Sequence, residues 1–269
     1  MIGARLGVGR EAEVHAWGDA AVVKLYRPGF GGHRAEAMAL GALDGHGVAP
    51  KLIDIVECDG RTGLVLERLS GSDMLALLEL RPWRVFGMAR TLARAHLAVH
   101  EVAAPADLPG LREVLATRIQ DAGLPSRLRD HARRVLDDLP DGDRLCHGDY
   151  HPANVLLAAD RVAVIDWPNA ARGVPEADHA RTMLLLRWAA PLPDTSPVTR
   201  AMIAVLRSAL ARRYARAYRA GSPPLRSAGS WLVVHAAARL SEGIEAERAT
   251  LVGFLERRAR NAGAGPSAT

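Results

Sequence analysis

Up to about residue 70 the chain alternates short β-favouring runs with turn signals; from Asp73 onward it is mostly amphipathic helix. A segment rich in strands followed by one rich in helices predicts an α+β arrangement, with a ligand cleft where the two halves meet. In the first part, Val14–Trp17 and Ala20–Tyr26 flank Gly18-Asp19, a hairpin signal, and Lys51–Cys58 and Thr62–Leu69 flank Asp59-Gly60, a second one. A helix is expected at about His33–Leu43, its small apolar residues on one face and Gly45 and Gly47 past its end. Further helices are expected at about Asp73–Leu80, Trp83–Val102, Leu111–Asp121, Ser126–Leu139, Ala177–Ala190, Val198–Ala220, Ser227–Leu240 and Ile244–Ala259. Two short strands, Val155–Leu157 and Val162–Ile165, interrupt them. The division reads as a β-rich lobe at 1–70, a helical lobe at 71–260 and a frayed tail at 261–269, rich in Gly, Ala, Ser and Pro.

The densest polar cluster in an apolar setting is Cys146-His147-Gly148-Asp149-Tyr150-His151-Pro152-Ala153-Asn154, followed by the two short strands and then Asp166-Trp167. Two strands joined by a turn therefore bring a loop bearing Asp149 and Asn154 beside a carboxylate at a strand end. Phosphoryl transfer asks for such a set: a carboxylate to accept or orient a hydroxyl proton, and hard oxygen ligands for Mg²⁺. Asp149 suits the first task, Asn154 and Asp166 the second. Singly, each is an ordinary turn-former or strand-end cap; the joint spacing favours the chemical reading.

The pattern H-G-D-x-x-x-x-N followed by I-D-W resembles the aminoglycoside phosphotransferase and choline kinase family, relatives of protein kinases. The resemblance spans about Leu6 to Leu186. It implies a two-lobed protein-kinase-like fold with a small antiparallel β N-lobe and a larger, mainly helical C-lobe. It also implies Asp149 as catalytic base, Asn154 and Asp166 as metal ligands, His147 packed under the catalytic loop, and ATP or GTP as co-substrate. Asp178, in Gly173-Val174-Pro175-Glu176-Ala177-Asp178, matches an acid that opens a helix and supports the loop through backbone bonds.

The N-terminal residues agree. Only two lysines occur, Lys24 and Lys51, among many arginines. Lys24 lies in Val22-Val23-Lys24-Leu25, an apolar strand where a charge needs a reason, and an ammonium is a point charge that the planar guanidinium does not imitate. By resemblance, Lys24 contacts the nucleotide's α/β phosphates and pairs with a helix glutamate, for which Glu36 is well placed. Gly7 and Gly9 fit a turn whose N–H groups approach phosphates, although a tight hairpin needs glycine too. Val65-Leu66-Glu67-Arg68-Leu69 resembles the linker between lobes, so the backbone at Glu67 and Leu69 is expected to meet a purine.

Other chemistries find less support. His147, His151 and Cys146 suggest zinc, but Gly148 and Pro152 break the helix that would present them together. His96 and His100 share a helix face without an H-E-x-x-H pattern and are expected as packed histidines bonded to backbone near the catalytic loop. No G-x-S-x-G elbow occurs. A net charge of +5 is dispersed, and at 4% aromatic content stacking platforms for bases are scarce, so no nucleic-acid partner is expected. No apolar stretch long enough to span a membrane, no signal-peptide pattern and only Cys58 and Cys146 as cysteines predict a cytoplasmic protein without a membrane or disulfide role.

The expected acceptor is a small hydroxylated molecule: a sugar, amino sugar, amino alcohol or aminoglycoside-like compound. From Arg181 onward fourteen arginines face five acids, an unpromising balance for a polycation. Glu242, Glu245 and Glu247 cluster there and read first as charges favouring the start of the last helix, with Trp188, Trp231 and His235 read as core. A peptide substrate is disfavoured because no Ala-Pro-Glu segment follows Asp166. Two alternatives remain on the same motifs, a catalytically silent nucleotide-binding regulatory protein and a nucleotidyl transferase.

Overall fold

The structure, a computed structural model, describes residues 2–189 and 197–263, without the side chains of 197–200 and 263. Five strands, β1 (Ile2–Val8), β2 (Ala12–Trp17), β3 (Ala21–Tyr26), β4 (Leu52–Cys58) and β5 (Arg61–Glu67), form one antiparallel sheet in the order β1-β2-β3-β5-β4. The expected turns close it: Gly18 (φ 63°) between β2 and β3, and Asp59 (φ 52°) with Gly60 (φ 70°) between β4 and β5. Strand alternation decides which way each residue of β3 points. Ala21, Val23 and Leu25 pack with Val65 in a small cluster on one face. Val22, Lys24 and Tyr26 take the other face, toward helix α1 (His33–Ala42) and the cleft.

The rest is helical: α2 (Met74–Leu80), α3 (Val85–His100), α4 (Leu111–Asp121), α5 (Ser126–Asp137), α6 (Pro175–Trp188), α7 (Pro197–Gly221), α8 (Ala228–Arg239) and α9 (Glu245–Gly263). Each expected helix is present, with ends displaced by a few residues. Asp73 is the N-cap of α2, accepting from Ala76 N–H at 2.8 Å. The last helix continues to Gly263, beyond the Asn261 where a frayed tail was expected, because Leu251, Phe254 and Leu255 hold it against the core. Residues 264–269 of that tail, and Ala190 at the expected end of α6, lie outside the described residues.

Besides β8 (Val155–Ala158) and β9 (Val162–Val164), three strands of three residues join the helical part: β6 (Gly71–Asp73) on β8, and β7 (Arg144–Cys146) paired with β10 (Ala171–Gly173). One core runs from Tyr26, Leu64 and Leu66 of the sheet through Leu40 of α1 to Leu92 of α3, Trp167, and Tyr214 and Tyr218 of α7. A second lies between α4, α5, α6, α8 and α9, around Leu115, Leu184 and Trp231. Burying each such large side chain stabilises by about 1.5–3 kcal/mol. The first core and a bond from Val164 N–H to Val48 C=O at 2.7 Å tie the sheet to the hairpin that carries the candidate site.

Candidate active site

A cleft of about 1540 Å³ opens between the sheet and the helices. Gly7, Gly9, Lys24, Glu36, Glu67, Leu69, Asp149, Asn154 and Asp166 all line it, so the residues singled out from sequence converge on one space.

On the sheet side, Lys24 Nζ donates to Glu36 Oε2 and to Asp166 Oδ1, both at 2.6 Å. Burial opposes the ammonium charge, but the two carboxylates outweigh it and hold the lysine above its ordinary pKa. Tyr26 also donates its hydroxyl to Glu36 Oε2, which fixes a carboxylate that is only 1% exposed. The tyrosine partner had no sequence signal beyond falling on the same strand face as Lys24. Gly9 closes the β1–β2 turn through its N–H to Ala12 C=O at 2.8 Å, while Gly7 lies within β1. Glu67 N–H and Arg68 N–H are engaged by the carbonyls of Lys51 and Ala20, leaving Leu69 N–H without a backbone acceptor among the described residues. The Glu67 side chain binds Arg161 at 2.5 Å, and Val22, Leu66, Leu156 and Ile165 give the cleft apolar walls there.

The loop carrying Asp149 is clamped from below. Asp178, the first-turn acid of α6, accepts from His147 N–H at 2.6 Å and Gly148 N–H at 2.9 Å. His147 Nε2 donates to Ile165 C=O at 3.0 Å and its Nδ1 accepts from Asp149 N–H at 3.2 Å, the pattern of a neutral ring, and burial lowers its pKa accordingly. Tyr150 donates to Leu92 C=O at 2.7 Å, anchoring the loop to α3. Gly148 has φ 78° and its Cα abuts the Asn169 carbonyl, so any side chain there would be both strained and obstructed.

His96 and His100 correct an expectation. They bond to the Asp178 side chain, not to backbone, through Nε2 at 3.0 and 3.2 Å, while their Nδ1 atoms meet the hydroxyls of Tyr214 and Tyr218, each at 2.7 Å. The rings reach the loop through this buried carboxylate, whose Oδ2 also accepts from His147 N–H. Burial, with His100 nearby, pushes His96 down to about 3, so it is neutral. Among the described residues His96, His100 and Asp178 are a cluster of metal-ligating type, but every ring nitrogen and both carboxylate oxygens already have hydrogen-bond partners, and the cluster is a scaffold.

Asp149 itself faces Arg181, whose Nη2 lies 3.3 Å from Oδ1, and His151, whose Nε2 lies 3.6 Å from Oδ2. Burial works against its charge, but the nearby His151 ring and the Arg181 charge outweigh it and hold the carboxyl well below the usual range. Asn154 donates Nδ2 to Asp149 C=O at 3.0 Å, which leaves Oδ1 as its ligand atom. Ile165 N–H binds Asn154 C=O at 3.0 Å, bringing Asn154 and Asp166 side by side. Asp166 has φ 69°, left-handed backbone that an aspartate adopts at a cost and that turns its carboxylate into the cleft. A half-exposed carboxylate and an adjacent, buried amide oxygen that lines the cleft are hard donors that fit Mg²⁺.

Sequence reasoning missed Arg181 of α6 and Arg118 of α4 as cleft residues, and it read Glu242 as a helix-start charge. Glu242 instead faces the cleft, bonded to Arg181 at 2.7 Å and to Arg239. It precedes α9 in a turn of 3₁₀ helix, whereas Glu245 and Glu247 do occupy the first turn of α9. Trp231 and His235 are buried within the second core, and Trp188 packs on Phe254.

No curated protein matches the chain in sequence. Solved structures share its fold. The apo form of a thermostable mutant of aminoglycoside phosphotransferase APH(4)-Ia aligns with a TM-score of 0.67 at 19% identity, over 99% of this chain and 96% of that one. A choline/ethanolamine kinase family protein from Mesorhizobium loti gives 0.63 at 16% identity, over 99% and 89%. An amicoumacin kinase in complex with AMP-PNP, Ca²⁺ and Ami gives a TM-score of 0.64 at 15% identity, over 95% and 87%. At these identities the likeness is one of fold. The sequence profile described as the phosphotransferase enzyme family matches residues 4–227, and the chain belongs to that family.

Proposed function

We propose that this phosphotransferase moves the γ-phosphoryl group of ATP or GTP to a hydroxyl of a small molecule, such as a sugar or amino alcohol. The observation that carries the reading is the meeting of Lys24, Asp166, Asn154 and Asp149 in one cleft, drawn from both halves of the chain. Val22, Leu66, Leu156 and Ile165 suit a flat base, and Leu69 N–H suits its edge. Lys24, oriented by Glu36, reaches the α/β phosphates. Asn154 and Asp166 would hold Mg²⁺, which would supply positive charge to the nucleotide's phosphates. Asp149, kept ionised by Arg181 and His151, orients the acceptor hydroxyl and takes its proton.

Residues 1–70 and 71–260 act as nucleotide-binding and acceptor-binding lobes on this reading. No helix among the described residues is long and apolar enough to cross a membrane, and we place the protein in the cytoplasm. The test is incubation with Mg-ATP or Mg-GTP and a panel of hydroxylated acceptors, with mass detection of an added phosphate. Nucleoside diphosphate should appear only with an acceptor; pyrophosphate instead would mean nucleotidyl transfer, and binding without turnover a silent protein.

A further inference from the structure

Beyond Asp149 the cleft ends in arginines. Arg118 from α4, Arg181 from α6 and Arg239 from α8 line it together with Asn169, Glu242 and Ile244. Their partners differ. Arg239 is matched by Glu247 at two points, 2.8 and 3.0 Å, and also holds Glu242. Arg181 bridges Asp149 and Glu242, at 3.3 and 2.7 Å. Arg118 makes one side-chain bond, from Nη2 to the neutral Asn169 Oδ1 at 2.7 Å, and among the described residues no carboxylate lies within ion-pair distance of it.

The balance of charge at this end follows. Three carboxylates, Asp149, Glu242 and Glu247, stand against the three arginines, but their ion pairs go to Arg181 and Arg239, so Arg118 is the arginine held by a neutral amide alone. Glu11, another carboxylate in the cleft, lies nearest Asp166 and Lys24 and also acts on Arg118 through space, without an ion pair to it. A guanidinium has five N–H donors in a fork that matches a carboxylate or phosphate at two points, and Asn169 uses only part of that capacity. Burial and the neighbouring Arg181 work against the charge of Arg118 and outweigh the support of Glu242, Asp149 and Glu11, a disadvantage that a directly bound anion would relieve.

Resting on the phosphotransfer reading above, we propose that the acceptor carries an anionic group, a carboxylate or a phosphate, which Arg118 binds while a hydroxyl of the same molecule faces Asp149. The hydroxyl oxygen bonds to the γ-phosphorus as its proton passes to Asp149. The bond from the γ-phosphorus to the β–γ bridging oxygen breaks, and its electron pair leaves with the nucleoside diphosphate. Arg118 holds the acceptor and takes no part in these bond changes.

The experiment compares matched probes, gluconate, glucose 6-phosphate, glucose and glucosamine, and likewise glycerate, glycerol phosphate, glycerol and serinol. Binding is measured by calorimetry with AMP-PNP and Mg²⁺ present, and transfer from ATP by mass. An acid or phosphate ester should bind about tenfold to 100-fold tighter than its neutral analogue, as one charge-assisted contact allows. Arg118→Gln should erase that ratio and Arg118→Lys should keep part of it; the carboxylate and phosphate arms identify the anion. Neutral or amino probes binding as well as the anions, no probe binding at all, or an unchanged ratio in Arg118→Gln would each overturn the proposal. Arg118-dependent binding of an anion without phosphate transfer would uphold this site and count against the phosphotransfer reading.

Discussion

The two ends of the cleft solve the problem of buried charge differently. At the nucleotide end, a single lysine is shared by two carboxylates, and Glu36 is nearly sealed from solvent. Acid outnumbers base there, which suits an incoming divalent metal and leaves the lysine ordered before nucleotide arrives. At the acceptor end, three arginines converge and one of them has only an amide for a partner. The first end is a completed ion-pair network; the second, on our proposal, awaits an anionic ligand. Loss of a charge should therefore cost stability at one end and selectivity at the other.

The largest effect expected from this contrast is acid-driven. His96 in α3, His179 in α6 and His235 in α8 are each pushed down to about 3, mainly by burial. Their folded pKa values lie below the unfolded one, so the unfolded chain binds more protons between about 3 and 6.5, and stability falls as pH drops through that window and is full above it. All three underlie the helical half and none lies in the five-stranded sheet. Hydrogen exchange at pH 5 against pH 7.5 should show protection lost in α3, α6 and α8 first; loss in the sheet first would break the comparison.

Next comes Lys24→Met, which leaves Glu36 buried with Tyr26 alone and should destabilise by about 3 kcal/mol while abolishing nucleotide binding. Chemical denaturation checks it, and an unchanged midpoint would show that the pair carries no stability. His151 and then Arg181 lower the Asp149 pKa, so Arg181→Gln should raise it toward its ordinary value and move the acid limb of the kcat/KM profile to higher pH. A profile that did not move would assign the depression to His151. The smallest effect is on stability in Arg118→Gln, expected below about 1 kcal/mol because the lost partner is a neutral amide. A larger loss would make Arg118 a structural residue.

The same contrast explains what the sequence made legible. Asp149, Asn154 and Asp166 lie on one loop and one hairpin, so their spacing in the chain is nearly their spacing in space. Lys24 and Glu36 are twelve residues apart across a strand and the next helix, still within reach of pattern. Arg118 meets Asn169 across 51 residues and Arg181 meets Glu242 across 61, through helix packing that no local periodicity encodes. The helix carrying Arg181 was expected, but no face could be assigned to the arginine, because α6 is buried on nearly every face. The strands β6, β7 and β10 span three residues each, too few for an alternation to be read. The histidine contacts with Asp178 depend on where α6 passes α3, again a tertiary fact.

The central claim is that Asp149 acts as the base toward an acceptor hydroxyl in a cleft otherwise built for nucleotide. Asp149→Asn, assayed on an acceptor that the intact protein phosphorylates, tests it most directly. Turnover should fall by about 10²–10⁴-fold, while Mg-nucleotide affinity by calorimetry stays within about twofold of the parent, less than one hydrogen bond is worth. Full turnover in Asp149→Asn would contradict the account.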